Sequence, residues 1–133
     1  EVGTFTSTTL PPFKFEGYGD NLARCQRYYY AHVTGGSEQI VGKGGFNSAA
    51  QFETTVFYMT TMRTTPTLNY GSGTNYYRAY SGGANYDFDT LTMHGGQPNA
   101  TSLYENGLSG TIGYAGNLVT NNSSAYVHFE AEL

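Results

Sequence analysis

Asp87 and Asp89 stand two apart in Tyr86-Asp87-Phe88-Asp89, where aromatic and acidic residues alternate. On a β-strand, residues i and i+2 share one face about 6–7 Å apart. Two carboxylates at that spacing suit glycoside hydrolysis or a hard cation. A glycosidase pair also needs a pocket between its acids, and nothing else in the chain has metal-loop spacing. Two like charges on the wet face of a strand are the commoner meaning. Polysaccharide degradation is therefore the third of three functional readings, and no residue is assigned to catalysis. His32, His94 and His128 lie far apart without metal spacing, so no metal or cofactor is assigned. His128 alternates with Tyr126 and Glu130 as a solvated or interface residue. Cys25, the only cysteine, cannot form an internal disulfide. Arg24 and Arg27 beside it would favour a thiolate, but no partner histidine is suggested by position, and a small buried thiol is expected. Asn99-Ala100-Thr101 and Asn121-Asn122-Ser123 match glycosylation sequons, which matter only on a eukaryotic secretory route.

Tyrosines are the second chemical resource: thirteen of them, with no tryptophan. One small core does not readily bury so many with every hydroxyl satisfied, which directs several to a surface or interface. Tyr70, Tyr76, Tyr77, Tyr80 and Tyr86 lie among Gly, Ser and Asn, with Asn75 and Asn85 between them. Rigid rings mixed with adaptable polar residues are what binding loops use, and a tyrosine face suits the C–H face of a sugar. These residues form the candidate ligand or receptor-binding set. The competing reading is that strand tyrosines pack a sandwich core or a subunit interface.

The elements that must hold these residues are short strands. From residue 51 to 63, Phe52, Thr54, Val56, Tyr58, Thr60 and Met62 alternate with Glu53, Thr55, Phe57, Met59 and Thr61. Period two predicts one long strand, covered in part on both faces. Pro66 limits its continuation. A short strand at residues 39–41 is expected to end at Gly42, with Lys43-Gly44-Gly45 as a turn. Further strands are expected at 76–80, around 86–89, at 100–104 and at 118–120, with Gly82-Gly83-Ala84-Asn85 as a hairpin turn. Residues 94–99 read as another turn. The last strand sets Ala125, Val127, Phe129 and Ala131 against Tyr126, His128, Glu130 and Glu132, the pattern of an antiparallel sheet with one wet face. Near the start, Asp20 is a candidate cap for a short helix over 20–26, followed by a strand from Tyr28 to Thr34. The fold class is all-β, an antiparallel β-sandwich of about eight strands, with a jelly roll as its expected form. Residues 1–19, with Pro11-Pro12, read as a tether or edge strand ahead of a sandwich over 20–133.

Composition narrows the partners. A chain of 133 residues fits one domain. The net charge of −4, with six scattered Lys and Arg, argues against a nucleic-acid surface. No 18-residue apolar run is present, so membrane insertion is not expected, and no signal peptide is visible after Glu1.

Leu22-Ala23-Arg24-Cys25-Gln26-Arg27-Tyr28-Tyr29 resembles a signature of C-terminal domains in bacteriophage virion proteins, chiefly tail-fibre and receptor-binding proteins. Met62-Arg63-Thr64-Thr65-Pro66-Thr67 is similar to the Met-Arg-x-x-Pro-Thr segment after their second long strand. Residues 125–133 are similar to their closing strand, which often ends Asp-Ala-Glu-Leu; Phe129-Glu130 stands here where Phe-Asp is common. The resemblance implies a non-enzymatic virion protein on a fibre or capsid exterior, made in the host cytoplasm and needing no signal peptide. It implies a homotrimer that contacts other virion proteins and a host receptor or glycan. An upstream shaft or module is also implied. Arg24, Arg27 and Arg63 recur in the resembled motifs. With Tyr28 and Glu130 they take structural or interface roles, the arginines pairing with the acidic end at Glu130 and Glu132. A capsid-decorating or fibre-trimerisation module, its tyrosines buried between subunits, is the alternative.

Overall fold

The computed structural model describes residues 14–132. They form one helix and ten strands, all paired antiparallel. Helix α1 spans Tyr18–Gln26, where Leu22, Ala23, Arg24 and Gln26 carry good helix propensity. It starts two residues earlier than Asp20, from an extended Gly17 that makes no side-chain cap bond. The expectation that Asp20 caps the helix is thus corrected. Asp20 lies in the first turn and Arg24 in the last, each on the side that the helix dipole favours. Residues 1–13, with the Pro-Pro segment expected as a tether, lie outside the described residues, and Tyr18 and Gly19 belong to α1.

A three-stranded sheet follows from β1 (Tyr29–Val33), β4 (Thr67–Tyr70) and β10 (Val127–Glu130), in the order β1-β10-β4. The closing segment is therefore the central strand of this sheet. Its alternation is as expected: Ala125, Val127, Phe129 and Ala131 are buried, and Tyr126, His128 and Glu130 are not.

The larger sheet holds β2 (Ile40–Phe46), β3 (Phe52–Phe57), β5 (Tyr77–Ser81), β6 (Ala84–Phe88), β7 (Thr92–His94), β8 (Ala100–Glu105) and β9 (Ala115–Thr120). Its order is β6-β5-β9-β2-β3-β8-β7. The all-β antiparallel expectation is met. The division is three strands and seven, whereas a jelly roll has eight strands. One core joins the two sheets: Phe129 and Val127 from the smaller meet Val41, Phe52, Val56, Tyr77, Leu103 and Leu118 from the larger. The Tyr58 ring lies 4.9 Å from that of Phe129. Each such buried side chain contributes about 1.5–3 kcal/mol.

Three boundaries differ from expectation. β2 runs through Lys43-Gly44-Gly45 instead of turning there. Gly44 faces Thr54 across the ladder, so close to β3 that a Cβ at this position would strike the Glu53 backbone. Glycine here marks backbone approach within a strand. β3 ends at Phe57 although the alternation continues, because the chain leaves the ladder: the Tyr58 and Met62 amides donate to Asn99 (3.1 Å) and Pro98 (2.7 Å). Its outer face is bare at Phe57, and Met59 beyond its end is exposed too, which corrects the expected cover on both sides. β7, an edge strand of three residues, falls where the reading begins a turn at His94. The hairpin after β5 turns on Gly82 and Gly83 alone, both at positive φ (60° and 78°), the type I′ geometry that matches strand twist. Asn85 is therefore a β6 residue and not part of the turn.

Candidate contact surface

Three loops meet at one end of the molecule: residues 34–39 before β2, residues 71–76 before β5, and residues 121–126 between β9 and β10. The middle loop is shaped by Gly73, over which the Tyr76 ring lies so closely that a Cβ would strike it. The Tyr76 amide donates to the Gly73 carbonyl (3.2 Å). Asn75 then takes φ 55°, a conformation asparagine tolerates better than most residues. Both of its backbone groups are held. Its N–H donates to an Asp89 carboxylate oxygen (2.7 Å), and its carbonyl accepts from the Asn121 side-chain amide (3.0 Å). The Asn121 backbone N–H donates to the Tyr76 carbonyl (2.7 Å).

The third loop joins in the same way. The Gly36 N–H donates to the Ser123 carbonyl (3.1 Å), and the buried Thr120 hydroxyl donates to the Gly36 carbonyl (2.6 Å). Glu38 sits at φ 60° with its N–H on the Thr120 carbonyl (2.7 Å). Below them, the Tyr77 hydroxyl lies between the carbonyls of Gly71 (2.6 Å) and Tyr126 (3.0 Å), fastening two loops from inside the core. The surface so formed exposes Ser72, Thr74, Asn75, Asp89, Ser123 and Ser124. Hydroxyls, an amide and a carboxylate on a cross-braced backbone can exchange hydrogen bonds with a polar ligand without first being ordered.

The candidate tyrosines do not form one surface. Tyr77 is fully buried, which corrects its place in the binding set: it is a core residue that supports the loops. Tyr70 and Tyr86 are half-buried against the core, Tyr86 with its ring 5.0 Å from Phe46. Tyr76 also packs on the core, from within the loop end. Tyr80 and Asn85 belong to β5 and β6 toward the Gly82-Gly83 hairpin, at the other end of β5 from Asn75. Of the seven residues, Asn75 and Asn85 are the exposed ones.

Asp87 and Asp89 have separate partners. Asp87 is clasped by the Arg78 guanidinium through Nε and through Nη2 (2.9 Å). Those hydrogen bonds hold its carboxyl below the usual carboxylate range. Arg78 also lies over the Tyr80 ring (5.7 Å), and the Tyr80 hydroxyl reaches Glu38 (3.2 Å). Asp89 instead accepts the Asn75 amide, a role that the i, i+2 spacing did not suggest. Asn121 and Glu38 were also missed as site residues; Asn121-Asn122-Ser123-Ser124 is a clear turn cluster, but the Asn75 carbonyl it reaches is 46 residues away in sequence, and nothing local joins the two.

The histidines are scattered as expected. His32 Nε2 donates to the Val41 carbonyl (2.6 Å), and the His94 ring lies 6.0 Å from Tyr104. His128 shares a 2.7 Å hydrogen bond with the Tyr29 hydroxyl and lies 4.7 Å from the Tyr126 ring. Cys25 is exposed, correcting the expectation of a buried thiol.

The arginines of the resembled motifs work close to home. Arg24 pairs with Glu16 (2.6 Å) at an exposed site. Arg63 lies over the Tyr28 ring (5.6 Å), and its backbone N–H donates to the Arg27 carbonyl (2.8 Å). Glu130 accepts from the Asn69 amide (2.8 Å). Among the described residues no arginine bridges Glu130 or Glu132, so the expected pairing with the acidic end is corrected. The reason is register: β10 places Glu130 beside β1 and β4, and its carboxylate reaches Asn69 on β4. No family model, curated protein or solved structure significantly matches the chain.

Proposed function

We propose that the chain is a non-enzymatic domain of a bacteriophage virion protein, of the fibre type, which contacts the host surface, glycans included, through the end built from residues 34–39, 71–76 and 121–126. The observation that carries this reading is Asn75: an exposed amide side chain on a backbone held from both sides by Asp89 and Asn121. Polar groups fixed before binding spare much of the ordering cost of association, and function placed on loops above a rigid scaffold is the common arrangement. The resembled motifs at residues 22–29, 62–67 and 125–133 support a place on the virion exterior, in a homotrimer alongside other virion proteins, after synthesis in the host cytoplasm.

Binding of the labelled chain to immobilised bacterial surface polysaccharides and to intact cells tests the reading. Asn75→Gly keeps the positive φ while removing the amide, and Thr74→Ala removes a neighbouring hydroxyl. The pair should weaken binding at least about tenfold, which corresponds to about 1.4 kcal/mol, with unfolding unchanged. Undiminished binding by that double variant would contradict it. The alternative, a trimerisation or capsid-decorating module, is favoured by one observation: α1 buries none of its residues.

A further inference from the structure

Asn106-Gly107 is the only Asn-Gly pair in the chain. It follows Glu105, the last residue of β8, and opens the loop that leads to β9. Both residues are exposed. The chain is held on either side of them. Glu105 faces Phe52 in the ladder, the Leu108 amide donates to the Ala50 carbonyl (3.0 Å), and the Gly110 amide donates to that of Ala49 (2.7 Å). Between these anchors, the Gly107 N–H and the Asn106 side-chain amide have no hydrogen-bond partner among the described residues. Gly107 takes φ 85°, and a Cβ at this position would have nothing within 4 Å. Its nitrogen is thus uncommitted, uncrowded and next in the chain to a free carboxamide.

These conditions favour attack of a backbone nitrogen on the preceding side chain. Joining two groups that are already linked removes most of the entropy cost of a bimolecular reaction. A side chain on the following residue would hinder the approach, and glycine has none. The other asparagines lack that freedom. Asn47 precedes Ser48, and its amide donates to Glu53 (2.8 Å). Asn122 precedes Ser123, and its side-chain oxygen accepts the Ser124 amide (2.8 Å). Asn75 precedes Tyr76, whose own amide is committed to the Gly73 carbonyl.

We infer that Asn106 is a site of spontaneous modification, at which Gly107 closes a succinimide ring and water opens it. The Gly107 nitrogen bonds to Asn106 Cγ and gives up its proton to solvent, and the carboxamide nitrogen leaves Cγ as ammonia. Water then adds to either ring carbonyl, and the bond from that carbon to the ring nitrogen breaks. Opening at Cγ restores the backbone and leaves an aspartate at position 106. Opening at the backbone carbonyl leaves an isoaspartate, with the main chain longer by a methylene. Nothing is oxidised or reduced. Either product adds a negative charge to a chain of net charge −4. The charge arrives beside Glu105, whose carboxylate accepts the Asn106 backbone N–H and the Thr90 hydroxyl (3.1 Å). Burial, and to a lesser degree the charge of Asp89, already push that carboxyl up. The modification therefore adds a third carboxylate to a pair that includes the brace of Asn75. The inference is independent of the attachment reading.

Peptide mapping by mass spectrometry tests it on the full chain, incubated at mildly alkaline pH in water enriched in heavy oxygen. Position 106 should show the mass of an amide converted to an acid, carry the heavy oxygen, and yield both aspartate and isoaspartate. Conversion should be at least about tenfold faster than at Asn47 or Asn122, and should rise with pH as the Gly107 nitrogen loses its proton more readily. Because the fold leaves the pair open, the rate should stay within about tenfold of that in urea. Asn106→Gln, which would have to close a larger ring, should remain unmodified at this position, with unfolding curves as the check on folding. Asn106 intact while Asn47 or Asn122 converts, aspartate formed without isoaspartate, or a rate in the folded chain more than about tenfold below that in urea would each overturn the inference.

Discussion

Two buried tyrosines separate packing from hydrogen bonding at the level of single residues. Tyr77 and Tyr58 both contribute rings to the core, but only Tyr77 has carbonyls to receive its proton. The Tyr58 hydroxyl is left without a partner, and the Thr101 hydroxyl beside it is directed to the His94 and Ser102 carbonyls. Tyr77→Phe should therefore cost about 1–3 kcal/mol, the penalty of stranding buried polar groups. Tyr58→Phe should leave stability within about 1 kcal/mol of the original, or raise it slightly. Urea unfolding at neutral pH measures both. Burial also pushes the Tyr58 hydroxyl up to about 12 and that of Tyr77 up further. In the unfolded chain both ionise near pH 10. Above that pH the unfolded state binds fewer protons than the folded one, so stability falls as pH rises. Stability should hold below about pH 10 and decline from there toward 12, less steeply in Tyr58→Phe; a flat alkaline limb would contradict this assignment.

Strands were legible where one residue carries both propensity and pattern. The alternation of β10, the strands at residues 77–81 and 100–105 and the Gly82-Gly83 turn are all written locally. What was not legible depends on distant backbone. Lys43-Gly44-Gly45 has the composition of a turn, yet β2 passes straight through it because β3 lies against Gly44. Gly44→Ala should consequently cost at least about 2 kcal/mol, as overpacking against immovable backbone does. Thermal unfolding would register it, and a substitution without effect would mean that the two strands can separate there. β3 likewise stops at Phe57 for want of a ladder partner, not for want of pattern. The short β7 carries too few residues for any period to be read.

For the whole molecule, the candidate surface was half legible. Asn75 is marked by its Gly-Ser-Gly-Thr setting, but its supports, Asp89 and Asn121, come from elsewhere in the chain and meet it only on folding. The neighbouring tyrosines drew attention because rings suit ligands; Tyr77 is in the interior instead, and Tyr70 and Tyr86 are half-buried against it. The molecule thus has two faces of opposite character: a braced polar loop end and a helix that leaves Tyr18 and Leu22 uncovered. The central claim is that the polar end makes the contact. Backbone amide shifts of the isotopically labelled chain, followed during titration with a polysaccharide that it binds, test this most directly. The account predicts perturbations concentrated in residues 71–76 and 121–124, with Asn75 and Asn121 foremost. Perturbations confined to Tyr80, Asn85 and the outer face of the large sheet, with the loop end silent, would contradict it.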